Sequence, residues 1–257
     1  MKLNLLAIAV AAMLGLAQGA TAQAVRVGVS AAPIPPYQMP TADGGFTGFE
    51  IDLLHAICED QKLECTTIPE NFSALIPELT GGKIDLILFA LVITEKRKEV
   101  MDFSDKYSAP KRAVVGQKNE NLEATKEGLA GITIGVTQGT TDERYAKKYL
   151  TESTIKSYPS QDEVNQDLMS GRIDATVSDE VFLQYFLTKG GSACCEVKGK
   201  IARTADLDIF GPGNAFGLRK GETELRDKIN AGIKNIRGNG KYDEISKRYF
   251  GESIYGD

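Results

Sequence analysis

The chain has 257 residues, 42% hydrophobic and 25% charged, enough for a packed core in one large domain or two of modest size. Its formal charge is −5 and no basic tract is clustered, so nucleic acid is not an expected partner. Low-complexity sequence is absent, which points to a globular protein.

The amino terminus reads as a secretory signal peptide over 1–22. Lys2 precedes an apolar core from Leu5 to Leu16, and small residues follow at Ala20-Thr21-Ala22 or Ala22-Gln23-Ala24. The apolar core is too short to span a bilayer. No other stretch approaches membrane length, and no cysteine follows the cleavage region to carry a lipid. The expectation is a soluble, exported chain beginning near Gln23 or Val25. Removing Lys2 takes the charge from −5 to −6.

Export sets how the four cysteines are read. Cys58 ends an apolar-periodic helix and Cys65 opens the next strand, a spacing that a turn brings within disulfide reach, so a disulfide is expected there. His55, Cys58 and Cys65 form only a partial metal set, without a fourth ligand, and neither metal nor cofactor is expected. Cys194 and Cys195 are adjacent; a vicinal disulfide, two thiols and pairing between molecules all remain open.

After a first strand around Val25–Val29, the stretch from Ser30 to Met39 carries Pro33, Pro35 and Pro36 and reads as loop. Asp43-Gly44-Gly45 is a tight turn. Apolar residues at Ile51, Leu54, Ile57 and Cys58 have the spacing of a core-facing helix, with Glu50 and Asp52 in its first turn and His55 on its solvent side. Asn71-Phe72-Ser73 follows a second strand. Ser73 suits an N-cap, which puts Pro77 in the first helical turn and Phe72 in a strand-to-helix loop.

The chain is organised around Gly82-Lys83-Ile84-Asp85, an apolar run from Leu86 to Ile93, and a helix start at Thr94 that carries Arg97. A ligand is expected at that junction. Gly171-Arg172-Ile173-Asp174 repeats the opening of this stretch and leads through a short strand to Asp179. Val25-Arg26-Val27-Gly28-Val29 is likewise echoed by Ile132-Thr133-Ile134-Gly135-Val136. Two similar α/β halves generate both echoes, with ligand-facing loops at the carboxyl ends of their strands.

The first crossing between halves is expected at the strand Ala113–Gly116 and the second at Gly211-Pro212-Gly213. One lobe then comprises 23–112 with 211–257, the other 113–210, and a hinge joins them. In the second lobe, Thr137-Gln138-Gly139-Thr140-Thr141-Asp142-Glu143 offers hydroxyls and a helix amino terminus to an anion. Helices follow at Asp162–Met169, Val181–Thr188, Glu222–Arg237 and Tyr242–Tyr249. Arg97 from one lobe and Asp179 from the other match the carboxylate and ammonium of an α-amino acid.

Gly48-Phe49-Glu50-Ile51-Asp52-Leu53, Ala74-Leu75-Ile76-Pro77, Ile93-Thr94-Glu95-Lys96-Arg97, Phe103-Ser104, Gly135-Val136-Thr137-Gln138-Gly139-Thr140 and Ile254-Tyr255-Gly256-Asp257 together resemble periplasmic amino-acid-binding proteins. These are the family 3 solute-binding proteins of ABC importers, and the similarity is greatest to the lysine/arginine/ornithine-, histidine- and opine-binding group. The resemblance implies a two-lobed type II periplasmic binding protein fold, α/β with mixed sheets, that closes on its ligand and delivers it to an inner-membrane ABC permease. A periplasmic monomer is implied, without catalysis.

By the same resemblance, Arg97 holds the α-carboxylate with help from the Thr140 backbone, Asp179 takes the α-ammonium, and Phe72 covers one face of the side chain. Cys58 and Cys65 match a disulfide of that group. Two departures concern specificity. Phe89-Ala90-Leu91-Val92 replaces a serine-rich stretch, and Ser30 and Pro33 stand where an acid and an aromatic are usual.

Asp142 offers either a relocated negative charge or a first-turn helix carboxylate. The expected ligand is an amino acid, cystine or an opine-like conjugate. The competing reading is an enzyme resembling periplasmic cyclohexadienyl dehydratases, in which Asp142 or Asp179 needs a raised pKa for acid–base work.

Overall fold

Valines at every second position, all buried, make β1, Gln23–Ser30, in the computed structural model, which describes residues 23–256. The expected signal segment, 1–22, lies outside the described residues. A hairpin of β2, Met39–Pro40, and β3, Phe46–Thr47, follows the proline-rich loop and leads into α1, Phe49–Gln61. Ile51, Leu54, Ile57 and Cys58 face the core there, and His55 is exposed.

Next come β4, Leu63–Glu70, and α2, Phe72–Thr80. Asn71, not Ser73, is the N-cap residue, and Pro77 therefore lies inside the helix instead of in its first turn. Phe72 is the first residue of the helix, and its ring sits 4.6 Å from that of Phe89.

The apolar run expected as one strand contributes only β5, Leu86–Ile87. Beyond it the backbone leaves the sheet, with Ala90 at φ 43° and its N–H donated to buried Glu50 at 2.6 Å. Apolarity fixed that the run is buried, but a carboxylate beneath it bends its second half into a cleft wall. Thr94 then caps the short α3, Glu95–Lys98, its hydroxyl accepting from Arg97 N–H at 3.3 Å. The edge strand β6, Met101–Ser108, follows; its mixed polar and apolar residues gave no clear period.

The second lobe holds β7, Arg112–Gln117; β8, Thr133–Thr137; α4, Thr141–Tyr149; and β9, Thr154–Tyr158. It continues through α5, Gln161–Met169; β10, Ala175–Asp179; α6, Glu180–Thr188; β11, Cys195–Ile201; and α7, Leu207–Phe210. The chain then returns through β12, Asn214–Arg219, to α8, Thr223–Gly238, and α9, Lys241–Phe250.

Each lobe is a mixed five-stranded sheet flanked by helices, in the order β4-β1-β5-β12-β6 in one and β11-β7-β10-β8-β9 in the other. In the first, β12 runs antiparallel to both its neighbours; in the second, β7 does so to β10 and β11.

The sequence echoes have a packing cause. A Cβ on Gly28 would stand 2.5 Å from Ile84 Cδ1, and one on Gly135 would stand 2.4 Å from Ile173 Cδ1. Only glycine lets the isoleucine after each Gly-basic pair seat on its neighbouring strand. The aspartates repeat too: Asp85 accepts Arg26 N–H at 3.0 Å, and Asp174 accepts Thr133 N–H at 2.7 Å.

Two crossings, 109–111 and 211–213, join the sheets; the first precedes the expected strand Ala113–Gly116, which lies within β7 of the second sheet. Arg203 bridges them, donating from Nη1 to Pro110 O at 2.8 Å, from Nε to Gly211 O at 3.4 Å and from Nη2 to Phe210 O. Gly211 has φ 53°, and a Cβ there would meet Ile93 O at 1.8 Å, so the return crossing requires glycine. Cys58 and Cys65 are disulfide-bonded, and Cys194 and Cys195, which the sequence left open, bond to each other.

Candidate functional site

Strand ends and helix starts from both lobes converge on a cleft of about 690 Å³ of empty space, open mouth included. Lobe one supplies Phe72 from the start of α2, Phe89, Ala90 and Val92 from the bent run after β5, and Arg97 from α3. Lobe two supplies Thr137 from the end of β8, Thr140 and Asp142 from the start of α4, and Asp179 from the end of β10.

Arg97 is 9% exposed and has no carboxylate within ion-pair distance among the described residues. Its Nη1 donates to Val92 O at 2.9 Å and its Nη2 across the cleft to Gly139 O at 3.4 Å. The guanidinium lies over the Phe72 ring, 5.5 Å from its centroid. Burial, and then the charge of Arg144, push its pKa down to about 10. It remains a cation at neutral pH, without an ion-pair partner among the described residues.

Asp179 and Asp142 are both tied to Arg112, the first residue of β7. Arg112 Nη1 stands 3.0 Å from Asp179 Oδ2, and its Nε 2.9 Å from Asp142 Oδ1. Burial works against the Arg112 charge, but the two carboxylates overcome it and hold its pKa above the ordinary guanidinium value. Burial pushes Asp179 up to about 6 against the pull of Arg112, and raises Asp142 in the same way. Asp179 also caps α6, accepting Val181 N–H at 2.9 Å. With both carboxylates ionised, the three side chains together carry one negative charge.

Around the start of α4, the Thr140 hydroxyl accepts Glu143 N–H at 3.2 Å and donates to Thr137 O at 2.7 Å. Thr140 N–H reaches Thr137 O at 3.4 Å. Thr137 Oγ1 donates to Gln161 Oε1 at 3.3 Å, fixing the end of β8 against α5.

A buried polar network braces the opposite wall. Glu50 accepts from Gln38 Nε2 at 2.5 Å, from Ala90 N–H at 2.6 Å and from the Tyr107 hydroxyl. The same Gln38 accepts Ser30 N–H at 2.8 Å and donates to Leu88 O at 2.6 Å, so it pins the ends of β1 and β5 together. Burial raises the Glu50 pKa to about 7 despite the hydrogen bonds it accepts.

Sequence reasoning missed Arg112, Tyr37 and Phe182. Arg112 had a signal: a basic residue directly before the apolar strand Ala113–Gly116, at the crossing. Tyr37 had none, because it sits in a proline-rich loop; its ring lies 4.7 Å from that of Phe182, and its hydroxyl 3.4 Å from Asp179 Oδ1. These contacts join the lobes along one side of the cleft.

Comparison with known proteins agrees with this geometry. The chain is 38% identical to the L-arginine-binding protein of Pseudomonas aeruginosa, over 99% of this chain and 98% of that one. It is 35% identical to the lysine/arginine/ornithine-binding periplasmic protein of Escherichia coli, over 100% of both. Among solved structures it matches an ancestral arginine-binding protein bound to arginine, with a TM-score of 0.82 and 32% identity over 90% of this chain and 100% of that one. These relatives are binding proteins, and the fold they share is the two-lobed type II periplasmic binding protein fold. Residues 25–252 match the bacterial extracellular solute-binding proteins of family 3, and the chain belongs to that family.

Proposed function

We propose that this protein is the ligand-capturing component of an ABC importer, holding an α-amino acid or an amino-acid derivative between its two lobes, one built on β1–β6 with β12 and the other on β7–β11. Arg97 grips the α-carboxylate bidentately, Asp179 accepts from the α-ammonium, and Phe72 and Phe89 cover the side chain. Thr137 and Thr140 flank the carboxylate at the start of α4. The lobes close about the crossings at 109–111 and 211–213, and the loaded form docks on an inner-membrane permease from the periplasm. The protein acts as a monomer.

The observation that carries this reading is the Arg97 guanidinium, buried and without a carboxylate partner among the described residues. An isolated buried cation is costly, and a ligand carboxylate relieves that cost. The protein without residues 1–22 is to be screened by thermal shift against amino acids, cystine and opines, with Arg97→Ala as control. A shift in the parent that the variant loses supports the clamp; equal shifts in both overturn it.

The raised Asp179 pKa also favours a second reading, a periplasmic acid–base enzyme on this fold. Against it, both cleft aspartates are engaged by Arg112. Formation of a decarboxylated aromatic product from prephenate or arogenate would establish it.

A further inference from the structure

We infer that the cleft selects α-amino acids whose side chain carries no net charge and excludes lysine- and arginine-type cations. The inference rests on the amino-acid clamp proposed above and adds the class of side chain it admits. Its basis is the balance of charge inside the cleft.

The buried charged groups that line the cleft are Arg97, Arg112, Asp142 and Asp179, two of each sign. Arg112 takes up one unit of the two aspartates, and the remaining unit meets a ligand ammonium. Arg97 meets the ligand carboxylate. A zwitterion thus satisfies every buried charge and leaves none over.

A cationic side chain finds no free acid inside. The rest of the wall includes Ala32, Ile34, Phe89, Ala90 and Phe182, with the neutral Ser30 at the end of β1. Glu70 is the one other lining carboxylate, and it is paired with Lys83 at 2.9 Å. Arg203, hydrogen-bonded to the crossings, and Arg144, whose charge helps lower the Arg97 pKa, add further positive potential. Asn71, Ser160, Gln161 and Ser178 also line the cleft, so an ammonium or guanidinium placed there meets neutral dipoles but no counter-charge. Asp142 Oδ1 already faces Arg112 Nε at 2.9 Å, though without hydrogen-bond alignment, so a ligand cation has to compete with Arg112 for it.

Calorimetric titration tests this on the protein without residues 1–22, refolded to strip carried ligand, using glutamine, leucine, phenylalanine, lysine and arginine. Binding of at least one uncharged amino acid on the order of 100-fold tighter than lysine and arginine supports the inference. Lysine or arginine binding as tightly as the best uncharged ligand overturns the inference while leaving the clamp standing. Binding of none overturns the clamp and the inference with it. Ser30→Asp, which puts an acid on the wall, is expected to raise lysine affinity about 10-fold. A folded Ser30→Asp protein with unchanged lysine affinity overturns the argument that a missing acid is what excludes the cation.

Discussion

Arg112 and Asp179 face each other in the antiparallel register of β7 and β10, with Nη1 3.0 Å from Oδ2. One guanidinium thereby serves carboxylates from β10 and, through Asp142, from α4. Arg112→Met leaves two buried carboxylates without a cation, at an expected cost of about 3 kcal/mol or more. Both are already raised by burial, so protonation relieves the variant, and the loss should be smaller at pH 5 than at pH 8. Urea unfolding at the two pH values measures this; an equal loss at both contradicts the ion-pair account.

Arg97→Ala should weaken every α-amino-acid ligand by on the order of 100-fold or more, about 3 kcal/mol, because the ligand carboxylate enters a desolvated cleft unpaired. Arg97→Lys keeps the charge but loses the fork, and should fall between the two. Calorimetry on the three proteins ranks them, and tight binding by Arg97→Ala refutes the assigned role. The unliganded Ala variant should be destabilised by less than about 1 kcal/mol, since carbonyl contacts alone offset the burial of this cation.

Much of this arrangement is legible in the sequence, for local reasons. Thr94 caps α3 through its own hydroxyl, three residues before Arg97, so the guanidinium follows from spacing. The Gly28–Ile84 and Gly135–Ile173 pairs are written as repeats because each lobe packs them alike. What is not legible depends on distant partners. The bend at Ala90 needs Glu50, and the neutralisation of Asp142 needs Arg112, both far away in the chain. No periodicity reports such pairs.

Phe72→Ala should weaken ligand binding by about 1–2 kcal/mol and leave the fold intact. The ring is only partly buried, while the core beneath it is built on Leu75, Leu79, Ile84 and Leu91. Circular dichroism and a dissociation constant separate the effects. An unfolded variant would make Phe72 a core residue instead of a ligand contact.

Glu50→Gln tests the brace behind the cleft. Both Glu50 oxygens accept, and Gln38 cannot flip without losing Ser30 N–H and Leu88 O. An amide at position 50 must therefore point a donor at a donor, at a cost of about 1–3 kcal/mol. If the amide nitrogen turns to Ala90 N–H, Ala90 loses its hold and ligand affinity falls with stability. A stability loss with unchanged affinity would show instead that the amide oxygen stays on Ala90 and its nitrogen faces Gln38.

Stability and affinity should respond to pH with opposite sign. The folded pKa values of Glu50, about 7, and Asp179, about 6, lie above their ordinary values of 4.5 and 3.8. The folded state thus binds more protons across that window. The stabilisation is complete below the ordinary values and is lost as pH rises through 6 and 7. Unliganded melting temperature should rise from pH 7.5 to pH 5. Near pH 4 and below, Asp85, Asp167 and Asp206, all held low by cationic partners, reverse the trend. A ligand ammonium, by contrast, needs Asp179 ionised, so affinity should drop about 10-fold per pH unit below 6. Melts with and without the tightest amino acid of the calorimetric panel read both at once. A ligand-induced shift that grows toward pH 5 would remove Asp179 from the ammonium site.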